Sequence, residues 1–115
     1  DKFNKKLPKN LRGAEDVYEV EGASAIGLLE VEGNTAAIIG LDAMVKAADV
    51  RLVHTEKSLG GRHVTVIVAG KVDAVTAALE RGKTETEPYS KTYGCEVIAN
   101  PHVEILKFFD MTQGL

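Results

Sequence analysis

Glu30 and Glu32 stand two residues apart near the end of an apolar run, a spacing that puts both carboxylates on one face of a strand. Paired carboxylates can serve as acid and base. No His and no nucleophile stands near them in the chain, so a solvated or interface pair is the expected role. His54, His63 and His102 fall on separate predicted elements and lack the short spacings typical of zinc sites, which points to structural or surface histidines. Cys95 is the single cysteine; it cannot form an intramolecular disulfide, and this fits a reducing compartment. Within a predicted strand it reads as a small buried side chain rather than a nucleophile or iron ligand. Gly60 and Gly61 could let backbone amides converge on an anion. Phosphate fingerprints, however, require a helix directly after the glycines, and here a β-branched strand follows. No catalytic residue, metal ligand or cofactor is assigned.

The apolar spacing of the chain switches between strand and helix periods. Ser24 to Val31 reads as a strand, apolar on both faces except at Glu30. Gly33 ends it, and Asn34 suits a helix N-cap because its side-chain oxygen can accept from first-turn amides. Ala37, Leu41, Met44, Val45 and Ala48 recur at three- and four-residue spacing, one stripe of a helix lying flat on a sheet. β-branched residues mark strands over Val50 to Lys57 and His63 to Ala69. Between them Ser58, Leu59, Gly60, Gly61 and Arg62 form a hairpin loop. A second helix spans Val72 to Arg81, with Gly82 as its C-cap. A polar loop through Thr84, Thr86 and Pro88 leads to a fourth strand, Tyr93 to Ile98, stopped by Asn100 and Pro101. Val17 to Val20 is a candidate short strand and Val103 to Met111 a short terminal helix.

The order βαββαβ predicts an α+β, ferredoxin-like fold, a four-stranded antiparallel sheet with both helices on one face, plus an N-terminal extension and a short C-terminal helix. The other face and the edges of such a sheet must be polar or find partners. Leu29, Val31 and Ile67 are candidates for that second face.

A length of 115 residues suits one domain with one core. Apolar residues make up 44% and charged residues 27%, ordinary globular values that favour neither disorder nor a membrane class. No apolar run approaches the roughly 18 residues of a membrane-spanning helix. The formal charge of −3 is uneven: residues 1–12 carry five basic groups against Asp1, a segment charge of +4 that leaves −7 for the rest. A nucleic-acid arm would need stacking aromatics beside those charges, and only Phe3 is present, so a solvated or packed tail is expected.

The run Asp42-Ala43-Met44-Val45-Lys46-Ala47-Ala48-Asp49-Val50, then Glu56-Lys57, the glycine loop, Val64-Thr65-Val66-Ile67-Val68 and finally Pro101-His102 together resemble the bacterial microcompartment shell-protein family. Members of that family tile into a protein wall around enzymes. The resemblance covers about residues 25–103 in unpermuted order. It divides the chain into an extension, residues 1–22, and a shell domain, residues 23–115. It implies a flat cyclic hexamer with a central pore lined by Ser58, Leu59, Gly60 and Gly61. Arg62 then either forms an anion-attracting ring or faces the rim or a carboxylate. Lys46 matches the lysine at the edge where hexamers meet, and Asn100, Pro101 and His102 belong to the same lateral interface.

The resemblance further implies a structural rather than enzymatic role in the cytoplasm, within a microcompartment shell that passes small polar metabolites. The implied partners are copies of this chain, other shell proteins and enclosed enzymes, with neither nucleic acid nor membrane. No cofactor is implied: relatives with an iron–sulfur cluster at the pore hold it through a loop cysteine, which this loop lacks. Three departures matter. The loop is longer than the common pattern by about one residue, Asn100 replaces an arginine and so removes a fork of donors from the lateral edge, and the N-terminal extension is unusual. A small-ligand-binding regulatory ferredoxin-like oligomer is the alternative from another class, and an enzyme comes third for want of a triad, metal set or tuned carboxylate pair.

Overall fold

The computed structural model describes residues 24–102, in the order β1 (Ala25–Glu32), α1 (Asn34–Ala47), β2 (Val50–Ser58), a short 3-10 turn (Leu59–Gly61), β3 (His63–Gly70), α2 (Val72–Thr86) and β4 (Gly94–Ala99). Apolar residues on both faces of 25–31 and 64–69 make those segments the inner strands. The sheet order is β2-β3-β1-β4, with every neighbouring pair antiparallel, the expected ferredoxin-like arrangement. The candidate strand at Val17 to Val20, the rest of the extension over residues 1–22, and the candidate helix at Val103 to Met111 lie outside the described residues.

Both helices pack on one face and touch each other. Leu29 and Val31 of β1 and Val64, Val66 and Val68 of β3 face Ala36, Ala37 and Met44 of α1 and Val75, Ala78 and Leu79 of α2. Burying a branched aliphatic side chain of this kind contributes about 1.5–3 kcal/mol, so this layer carries the fold. Leu29 and Val31 therefore belong to the helix face, not to the second face as expected. Cross-strand partners share a face, so the second face carries Ile26, Leu28, Glu30 and Glu32 of β1 opposite Ala69, Ile67, Thr65 and His63 of β3.

Other expectations also need correction. Asn34 is the first helical residue rather than the cap; Gly33 occupies the cap position at φ 88°, without a side-chain cap bond. Val45 is 43% exposed, because the buried stripe of α1 runs through Ala36, Ala37, Gly40 and Met44. Gly82 does not end α2, which continues through Thr84 to a fully buried Thr86. The physical reason is the helix crossing: a Cβ at Gly82 would lie 2.7 Å from Met44 Cγ, so the glycine serves close approach rather than chain reversal. A β-bulge between Leu52 and His54 resets the alternation of β2 and turns His54 onto the second face, where it is buried.

Candidate functional site

The β2–β3 hairpin is short because its strands pair almost to the turn: Ser58 is the last residue of β2 and faces His63 across the ladder. Ser58 is thus a strand residue rather than part of the loop, which shrinks to Leu59–Gly61 and Arg62. Gly60 has φ 68° and Gly61 φ 90°, and neither has any atom within 4 Å of where a Cβ would stand. The glycines are required for backbone conformation, not for space. Gly60→Ala or Gly61→Ala should each lower stability by about 1 kcal/mol, read as a shift of the urea unfolding midpoint with unchanged slope; an unchanged midpoint would contradict the left-handed turn.

The hairpin root rests on the end of β1 and on the segment after α2. The Gly33 amide donates to the Arg62 carbonyl at 2.7 Å, and the Tyr93 amide to the Glu30 carbonyl at 2.9 Å. Arg62 Nη2 lies 3.5 Å from Glu32 Oε2, so within one copy the guanidinium faces a carboxylate. His63 Nδ1 lies 3.1 Å from Glu30 Oε2, with the Tyr93 ring tilted against the imidazole at 4.2 Å between centroids. Sequence separation hid this histidine–carboxylate pair, because only the β1–β3 register brings residues 33 apart together. No hydrogen bond links the Ser58 hydroxyl to His63 among the described residues, so the carboxylate orients the ring without a nucleophile behind it.

The remaining candidates for chemistry lie elsewhere. His54 Nε2 is 2.9 Å from Glu56 Oε1, and His102 is exposed beyond β4. Among the described residues no three His, Cys, Asp or Glu side chains gather closely enough to hold a metal ion. Burial pushes the Cys95 thiol above its ordinary value, with Lys83 pulling it down and Glu96 adding to the rise. A thiol kept protonated in this way is a poor nucleophile.

The residues expected at a lateral edge sit at the opposite end of the sheet from the hairpin. β1 starts at Ala25, which pairs with both Gly70 and Ala99, and β2 starts at Val50, also opposite Gly70. Lys46 in the last turn of α1 and Asn100 just past β4 therefore share that end. Lys46 is 73% exposed, with Nζ 2.8 Å from Asp42 Oδ2 one turn earlier. Asn100 adopts φ 48° and donates its amide to the Ser24 carbonyl at 2.6 Å, turning the chain so that Pro101 is buried and His102 exposed.

Comparison with known proteins gives the family of the chain. The BMC domain family model matches residues 25–101. The bacterial microcompartment shell protein PduA of Citrobacter freundii is 45% identical over 83 residues, covering 72% of this chain and 88% of PduA. The carboxysome shell protein CsoS1A of Hydrogenovibrio crunogenus is 41% identical over 90 residues, covering 77% of this chain and 93% of that protein. A crystal structure of a microcompartment protein from Desulfitobacterium hafniense matches with a TM-score of 0.67 at 30% identity, over 76% of this chain and 47% of that one; the chain thus spans about half the length of that structure. With a BMC domain over residues 25–101 and shell proteins among its relatives at 41–45% identity, the chain belongs to the bacterial microcompartment shell-protein family.

Proposed function

We propose that this chain is a structural tile: six copies close into a ring with their β2–β3 hairpins around the axis, and rings meet edge to edge through Lys46, Asn100, Pro101 and His102. The observation that carries this reading is the placement of the two residue sets at opposite ends of one sheet. β1 runs eight residues from one end to the other, about 25 Å at the usual rise per residue. One copy can therefore present Ser58, Leu59, Gly60, Gly61 and Arg62 inward and its Lys46 corner outward. In a closed ring each hairpin group repeats, so a short turn becomes an aperture that sorts small polar solutes by size and charge.

Self-association also has a surface to use. Ala37, Ile38 and Leu41 of α1 border an apolar groove against Thr55, Lys57, Val64 and Val66, and Ile38 is 67% exposed beside it. An exposed apolar patch of this kind suits a copy of the same chain. The tile itself performs no reaction; its partners are other shell proteins and the enzymes enclosed in the cytoplasmic compartment. Native mass spectrometry together with electron micrographs of the purified protein tests this reading. Sixfold mass and tiled sheets are expected, whereas a monomer, or a small oligomer that saturates with one ligand and never tiles, would overturn it.

A further inference from the structure

The guanidinium that follows the two hairpin glycines faces a carboxylate, and hydrogen bonds from the surrounding chain fix the backbone of both residues. The Gly33 amide bonds the Arg62 carbonyl at 2.7 Å, which locks the hairpin root to the residue directly after Glu32. Glu32 is fixed from its other side as well: its amide donates to Ser90 Oγ at 2.8 Å, and the Tyr93 hydroxyl donates to Oε1 at 3.4 Å. The neighbouring acid, Glu30, is engaged by His63 at 3.1 Å. Lys91 lies over the Tyr93 ring, 5.7 Å from its centroid. Glu32 is thus the acid that faces Arg62, at 3.5 Å, and both side chains still reach solvent, at 71% and 43% exposure for Arg62 and Glu32.

We propose that Glu32 sets the charge of the aperture by cancelling Arg62 in each copy, so that the opening admits uncharged polar solutes without concentrating anions. This rests on the reading of the hairpin as the lining of an axial opening. Unpaired, six guanidinium groups would make a ring of like charge, and a cleft lined by one sign raises the local concentration of counter-ions by about 10- to 1,000-fold. A carboxylate beside each guanidinium removes most of that field within a Debye length, about 10 Å at 0.1 M salt. Glu32 is therefore a specificity-determining residue that lies on β1, outside the loop that lines the opening.

The test uses ferrocyanide, a compact multivalent anion, titrated calorimetrically at low ionic strength into the full chain, Glu32→Gln and the double variant Glu32→Gln/Arg62→Gln, with the native mass of each sample measured alongside. Glutamine keeps an acceptor for the Tyr93 hydroxyl, and the bond to Ser90 uses the backbone, so the single variant retains the surrounding contacts. Glu32→Gln should tighten ferrocyanide binding about tenfold or more, lose that gain when salt is raised, and return to the original affinity in the double variant. Unchanged affinity in rings of native mass would overturn the cancelling role while leaving the ring intact. Tight binding that survives Arg62→Gln would overturn it by assigning the field to another cation. A monomeric mass would overturn the ring reading and this inference with it.

Discussion

Lys46→Ala is expected to yield rings of unchanged mass that no longer tile. Among the described residues Lys46 Nζ pairs with Asp42, one helical turn away on an exposed surface, and a pair of that type contributes about 0.3–0.5 kcal/mol. Alanine is the best helix former, so the tile itself loses almost nothing. Between tiles the account differs. A charged donor on a neighbour's acceptor is worth about 1.5–3 kcal/mol, and an edge formed about a twofold axis contains the same group twice. Losing both removes about 3–6 kcal/mol per edge, more than a hundredfold in edge association. Analytical ultracentrifugation and negative-stain micrographs check this, and ordinary sheets from the variant would contradict it. Asn100, just past β4 at the same end of the sheet, is uncharged and adds no charged donor of its own beside Lys46.

Gly82→Val is expected to destabilise the tile by about 3 kcal/mol, a large share of the 5–15 kcal/mol typical of a domain. The new Cβ would stand 2.7 Å from Met44 Cγ and 3.2 Å from Leu29 Cδ2, where α2 crosses α1 above the centre of the sheet. Met44 and Leu29 are fully buried, and a β-branched residue adds further bulk to the clash. Gly82→Ala separates the two roles a helical glycine can have. A terminating glycine would cost stability only through its backbone, whereas here alanine gains about 1 kcal/mol of helix propensity and loses more to overpacking. Thermal unfolding of both variants, with valine well below alanine and alanine below the parent, is the expected ranking; valine at the parent's level would contradict the crossing.

Much of the fold could be read from the chain because its signals are local. The β-branched run Val64 to Val68 and the alanine-rich stripe beginning at Ala36 each settle an element within a few residues. Gly82 misled for the opposite reason: glycine ends a helix or lets two helices touch, and only the position of Met44 across the interface separates the cases. The cap showed the same ambiguity, since Asn34 fits a cap by type while Gly33 occupies it through a positive φ. Asn100 is the converse, an asparagine whose left-handed backbone does stop β4.

The candidate site divides along the same line. Ser58 belongs to β2, whereas the hairpin residues from Leu59 to Arg62 were visible as a turn from the glycines alone. Their support was not: Glu30 with His63, and Tyr93 with Glu32, join residues far apart in the chain that meet only through the β1–β3 and β1–β4 registers. The bulge at Leu52 to His54 leaves no mark in residue type, so the burial of His54 could not be anticipated. The approach of Arg62 to the Glu32 carboxylate at 3.5 Å likewise joins residues that only the fold brings together.

In the proposed ring, identical copies bring their glycine turns around a common rotation axis. A symmetry-resolved electron-microscopy reconstruction of the purified full chain would locate these turns. Six turns, each with Gly60 and Gly61 facing a central opening and with Lys46 at the outer rim, is the predicted result. A map in which these turns lie away from every rotation axis, or in which Lys46 lies inside the ring, would contradict it.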